Sequence, residues 1–166
     1  LANVITTSFK AQAESVVSEV VKADYQISAA QVFVSPGIPT GLSDELIALD
    51  EVTKLSRSRA TIVGFEDRPL ILGAVDEDIF DLIKTENIAG SKEEFVKLNA
   101  MGVLKQKAER DNLGIGDEII LTIPEEGKRT FTIEYIFDWT TPPPAEFFLL
   151  LENYSFFSEE SLDTEI

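Results

Sequence analysis

This chain of 166 residues contains no cysteine and no histidine. Thiol catalysis, Cys/His zinc sites and any mechanism with a histidine base are therefore excluded within it. Freedom from cysteine also avoids redox chemistry, which suits an exported protein. Base is scarce: 14 lysines and arginines stand against 30 acids, a net charge of −16. Such a field repels phosphate backbones and anionic headgroups, so no nucleic-acid partner is expected, whereas a cationic partner fits. There is no apolar run near the length of a membrane span, no signal peptide and no start methionine. The ends carry no terminal signal, and we expect a piece of a longer protein.

What is present is an ordinary globular composition, with 44% hydrophobic residues. Apolar residues at Phe9, Ala13, Val16, Val17, Val20 and Val21 recur at helical spacing, predicting an amphipathic helix over Thr7–Lys22. Residues 23–28 alternate and predict a strand. Residues 35–41 (SPGIPTG) read as a loop, and a second helix is expected after a cap at Ser43 or Asp44, with Leu46, Ile47, Leu49 and Val52 as its apolar residues. Ser58–Phe65 predicts a strand, broken at Arg68-Pro69, with residues 69–74 extended. A short helix is expected over Asp78–Lys84. Ser91 followed by Glu94 has capping-box spacing. Past Gly102, residues 103–110 form either a strand or a helix.

Residues 118–137 read as β-structure. Ile119, Leu121 and Ile123 alternate with Ile120 and Thr122. Phe131, Ile133, Tyr135 and Phe137 then alternate with polar partners, which predicts a single buried face. Pro124–Lys128 is a hairpin connection with Gly127 available for positive φ. TTPPP at 140–144 is a stiff linker, Phe147–Leu151 a buried strand, and 153–162 a final short helix. Phe147, Phe148, Phe156 and Phe157 are expected to bury against the first strands and helices.

Several stretches invite chemistry. Gly114-Ile115-Gly116-Asp117 has two glycines in a dinucleotide-like spacing, but the third glycine is missing and a strand follows in place of a helix. A turn launching a strand is the simpler reading. Asp76, Asp78 and Asp81 resemble the start of a calcium loop, yet Phe80, Asp81 and Asn87 occupy its fifth, sixth and twelfth positions. Helix capping and solvation fit better. Lys54, Arg57 and Arg59 form the one basic patch, either a solvated strand end or a dock for an acidic partner. A carboxylate-only hydrolase would need two acids in one cleft with raised pKa values; the abundance of acids singles out no pair. No catalytic, cofactor-binding or metal-binding residue is assigned.

One segment carries a family resemblance. Val103-Leu104, Ala108, Leu113–Ile119, Lys128–Ile133 and Ile136-Phe137 resemble the extracytoplasmic domain of MacB-like and FtsX-like ABC transporter permeases. The family pattern has an alanine, a spacer, Gly-Asp, a β-run, a hairpin and a strand ending near Gly-Ile. Here Glu134-Tyr135-Ile136 stands where that glycine usually sits. The resemblance implies an α+β fold, with a membrane-proximal α/β subdomain (1–74 and 145–166) and an inserted β-rich distal subdomain (75–144). It implies a place outside the cell membrane, between two membrane helices of a permease, with the amphipathic start as the stalk leaving the first. The family domain usually continues through a further β-α-β, which this chain does not reach. Chemistry would reside in a cytoplasmic ATPase, and the domain would couple that motion to export or to an extracytoplasmic partner, within a permease pair. The alternative reading is a stand-alone secreted binding module.

Overall fold

The computed structural model describes residues 38–139 and 145–154, together with 22–25, 27 and 156. The helix expected over 7–22 lies outside them except for Lys22, and the 140–144 linker lies outside entirely. Of the strand expected over 23–28, the described residues are irregular.

The elements follow from local sequence. Helix α1 spans Thr40–Ile47 and begins directly after Pro39, not at Ser43 or Asp44. Proline has no N–H to lose and its fixed φ suits a helix entry. Ser43 is instead buried within α1, and Leu49 and Val52 lie beyond it. Strands β1 (Ser58–Phe65) and β2 (Arg68–Val75) form a hairpin. Its turn is Glu66-Asp67, both left-handed with φ of 47° and 60°. Two such residues match the twist of the flanking strands, so the chain reverses before Pro69 rather than at it. Helix α2 is one turn, Ile79–Leu82, and β3 is Thr85–Gly90. Helix α3 (Lys92–Phe95) has the expected cap: Ser91 Oγ accepts from the Glu94 N–H at 3.2 Å. Residues 100–111 supply both forms left open by the sequence. Ala100–Leu104 is strand β4, and Lys105–Asp111 is helix α4. Gly102 sits inside β4, where an added Cβ would lie 3.1 Å from both Phe95 and Phe137. Strands β5 (Glu118–Ile123) and β6 (Gly127–Trp139) form the second hairpin, with Gly127 at φ 86°. Strand β7 is Phe147–Leu150, and a single 3-10 turn follows at Leu151–Asn153.

The seven strands run in the order β3-β6-β4-β7-β2-β1-β5, and β5 returns to pair with β6. Six of them thus close a small barrel, with β3 outside it on the C-terminal half of β6. The seam is thin: β1 meets β5 only at Gly64 and Thr122. A Cβ on Gly64 would stand 3.2 Å from that of Thr122, so the close approach favours glycine. Strand β7 lies parallel to β2 and antiparallel to β4, and β4 lies parallel to β6. One sheet therefore joins strands from the stretch 1–74 and 145–166 to strands from 75–144.

The four residues of β7 are all buried. Phe147 and Leu149 face the barrel interior with Val63, Leu72, Met101, Leu121 and Ile133. Phe148 and Leu150 face a second core with Phe80, Phe95, Tyr135, Phe137 and Trp139. Two-sided burial explains why this run lacks the polar alternation of a surface strand. Strand β6 serves both cores by a different device. Its register against β4 slips between Met101 and Gly102, leaving Glu134 as an extra residue. The bulge inverts the alternation. Phe131 and Ile133 point into the barrel, whereas Tyr135, Phe137 and Trp139 point into the second core. The single buried face expected for 131–137 is therefore two faces, split at Glu134.

Candidate functional site

The turn after α4 is built from its own backbone. Asn112 ends the helix in the left-handed conformation, φ 53°, and the Leu113 N–H returns to the Ala108 carbonyl at 2.9 Å. The Asp117 N–H then donates to the Gly114 carbonyl, closing a four-residue turn with Gly116 at φ 89°. Positive φ at the third position is what a type II turn demands of glycine. Asp117 Oδ2 accepts from the Gly114 N–H at 2.7 Å. The Gly116 N–H donates to the Ile133 carbonyl, and the Ile133 N–H donates to the Asp117 carbonyl. The donors a phosphate would seek at both glycines are thus taken, one of them by a carboxylate that would repel it. The Gly-x-Gly-Asp motif is the device that docks the turn onto β6.

The acidic cluster and the basic patch singled out in the sequence meet each other. Asp76 is 8% exposed and receives three bonds from Arg57: the backbone N–H at 2.8 Å, Nε at 2.9 Å and Nη2 at 3.0 Å. Lys54 Nζ lies 3.0 Å from Asp78 and 2.6 Å from Asp81. Lys54 in turn holds the Asp81 carboxyl below its ordinary pKa. The carboxylates are spent on holding the segment before β1 against the β2–α2 corner. Among the described residues, no group of Asp and Glu is arranged to hold a metal ion.

A second charged network ties α4 to the start of β7. Arg110 grips Glu146 through both terminal nitrogens, at 2.7 and 2.8 Å. Lys107 is 6% exposed, bonded to Asp111 at 2.6 Å, and sits over the rings of Phe65 and Phe147. Arg110 chiefly holds the Glu146 carboxyl below its usual range, and Lys107 does the same for Asp111. Glu93 is also displaced downward, chiefly by its own backbone N–H and then by the Ser91 side chain. Every displaced carboxyl among the described residues moves down, whereas a general acid needs one pushed up.

An open groove lies between β3, α4 and the Leu113–Asp117 turn, with Ile136 and Ala108 lining it. Its volume is about 510 Å³. Ile88 stands on its wall, 41% exposed, because a second register shift in β3 displaces it between Asn87 and Ala89. Sequence periodicity missed this site, since Ile88 and Leu113 belong to no apolar stripe and come together only when β3 docks on β6. Phe147 and Phe148 are buried as expected, and Phe156 packs partly against the barrel core. Phe157 lies outside the described residues.

No family model and no curated protein matches the sequence. Solved structures do match. One is a domain of a permease protein from Porphyromonas gingivalis, 16% identical, with TM-score 0.50 over 88% of this chain and 70% of the other. Another is the periplasmic region of MacB from Actinobacillus actinomycetemcomitans, 10% identical, with TM-score 0.50 over 77% of this chain and 64% of that one. The chain has the fold of a MacB-like periplasmic domain. The α+β class expected from the resemblance stands. Where the resemblance expects a glycine near the end of β6, the MacB-like fold here carries the Glu134 bulge. No helix among the described residues is long and apolar enough to cross a membrane.

Proposed function

We propose that this chain is a non-catalytic extracytoplasmic domain of an ABC transporter permease. It couples ATP hydrolysis by a cytoplasmic ATPase to export or to an extracytoplasmic partner, within a permease pair. The observation that carries the reading is the fold shared with two permease domains. In this reading residues 1–74 and 145–166 lie nearer the membrane and 75–144 farther from it. The internal wiring supports a coupling role. Strand β7 hydrogen-bonds to β2 on one side and to β4 on the other, and Arg110 clamps Glu146 at its start. In this reading a displacement of the returning chain passes to β4 and the second hairpin through backbone bonds, and to α4 through the Arg110–Glu146 ion pair.

The absence of cysteine makes the placement testable. Glu125, at the exposed hairpin tip, is changed to cysteine in the full-length protein. A membrane-impermeant maleimide should label it in intact spheroplasts, and an ABC-type ATPase should copurify. Labelling only after lysis would overturn the extracytoplasmic placement. Labelling without any ATPase would favour the stand-alone binding module instead.

A further inference from the structure

The groove beside the Leu113–Asp117 turn has two chemistries. Its floor and walls are aliphatic: Ile88, Ala108, Leu113 and Ile136. Ile115, at the tip of the turn, is 43% exposed, and Ile88 is similarly open. Its charged lining is chiefly acidic. Glu109 and Asp117 line it, and Glu118 follows directly in the chain. Among the described residues neither Glu109 nor Glu118 forms an ion pair, whereas Lys105, the one cation of the lining, lies 3.9 Å from Asp138. Exposed aliphatic side chains beside Glu109 and Asp117, the former without an ion pair among the described residues, mark a surface for a partner carrying both apolar and cationic groups.

Other occupants fit less well. A second copy brings another net charge of −16 to the same acidic rim. An anionic lipid surface is repelled by the same field. Strand addition to the outer edge of β3 is blunted by the irregularity at Ile88 and by the Asn87 side chain, which bonds back to the Gly90 carbonyl at 3.2 Å.

We infer that the groove docks a cationic amphipathic segment of another protein. A branched aliphatic side chain of that segment rests on Leu113 and Ile136 beside Ile88, and a neighbouring lysine or arginine meets Glu109 and Asp117. The inference uses only the groove's own chemistry and does not rest on the transporter reading.

The probe is a synthetic peptide of alternating leucine and lysine, with a leucine–glutamate peptide as its control, titrated into the isotope-labelled chain. The leucine–lysine peptide should shift the amide resonances of Ile88, Glu109, Leu113 and Ile115 first, while the control shifts none of them. Glu109→Lys and Ile88→Ser alter exposed side chains and leave the fold intact. Each should weaken binding about tenfold, near 1.4 kcal/mol. Shifts spread evenly over all exposed carboxylates, equal binding of the control, or unchanged affinity in both variants would each overturn the assignment.

Discussion

The barrel interior and the outer core share β6 and β7 but are filled by different chemistry. The barrel holds mainly aliphatic residues of middling size, with Phe131 and Phe147 among them. The outer core is largely aromatic: Phe80, Phe95, Tyr135, Phe137, Trp139 and Phe148. Phe137 stacks on Tyr135 at 5.0 Å and touches Phe80, Trp139 and Phe148 as well. A six-stranded ring leaves narrow space that branched aliphatics fill layer by layer. The outer face of a curved sheet is wider, and among the described residues one-turn helices cover it, so large rings span the gap. Gly73 and Gly102 lie beneath those rings, where a Cβ on Gly73 would come within 2.8 Å of Phe148. Small backbone positions and large side chains are thus paired across the sheet.

The strongest test of this division is removal of the residue that creates it. Deleting Glu134 restores simple alternation and turns Tyr135, Phe137 and Trp139 toward the barrel. The loss should exceed the roughly 5 kcal/mol of a severe core truncation and abolish the cooperative unfolding transition seen by circular dichroism. Next come single truncations, one for each core. Phe148→Ala and Leu121→Ala should each cost about 3–4 kcal/mol in urea unfolding. Their spectra should differ: Trp139 is the only tryptophan and lies 5.5 Å from Phe148. Phe148→Ala should therefore red-shift native emission, while Leu121→Ala leaves it in place. Equal shifts in both would mean that the two cores act as one.

Smaller effects probe the edges of the comparison. The Glu146 carboxyl is held below its ordinary value of 4.5 by Arg110 and Lys107. A depressed folded-state pKa contributes stability that is present above pH 4.5 and lost as the pH falls through the folded value. Glu146→Gln should flatten the acid limb of the stability curve below that pH and leave Trp139 emission unchanged, since the clamp sits on the barrel side. Tyr135→Phe should change stability least, within about 1 kcal/mol. Its buried hydroxyl lies near Thr85 without a well-formed hydrogen bond. A loss well above that, measured by urea unfolding, would show that the aromatic core depends on this polar group.

Much of this fold was legible residue by residue. Strand β1 spans the expected Ser58–Phe65 around its β-branched centre, Thr61–Val63. The cap at Ser91 and the bend at Gly127 follow from side-chain and backbone chemistry that acts within four residues. The α1 start was misplaced because Pro39 outweighed Ser43 as an entry signal. The groove was not legible, because its walls come from residues 88, 105–117 and 136, which meet only when β3 docks on β6.

Alone, the amino-acid sequence determined the absence of thiol and imidazole chemistry, the acidic field, and the turn at Gly114–Asp117. These depend on composition or on bonds that close locally. Only the tertiary structure decided that Arg57 and Lys54 would neutralise Asp76, Asp78 and Asp81. It also decided that one alternating strand would feed two cores. Both outcomes need partners far apart in the chain, and a single extra residue at Glu134 reverses which side of the sheet each later side chain faces.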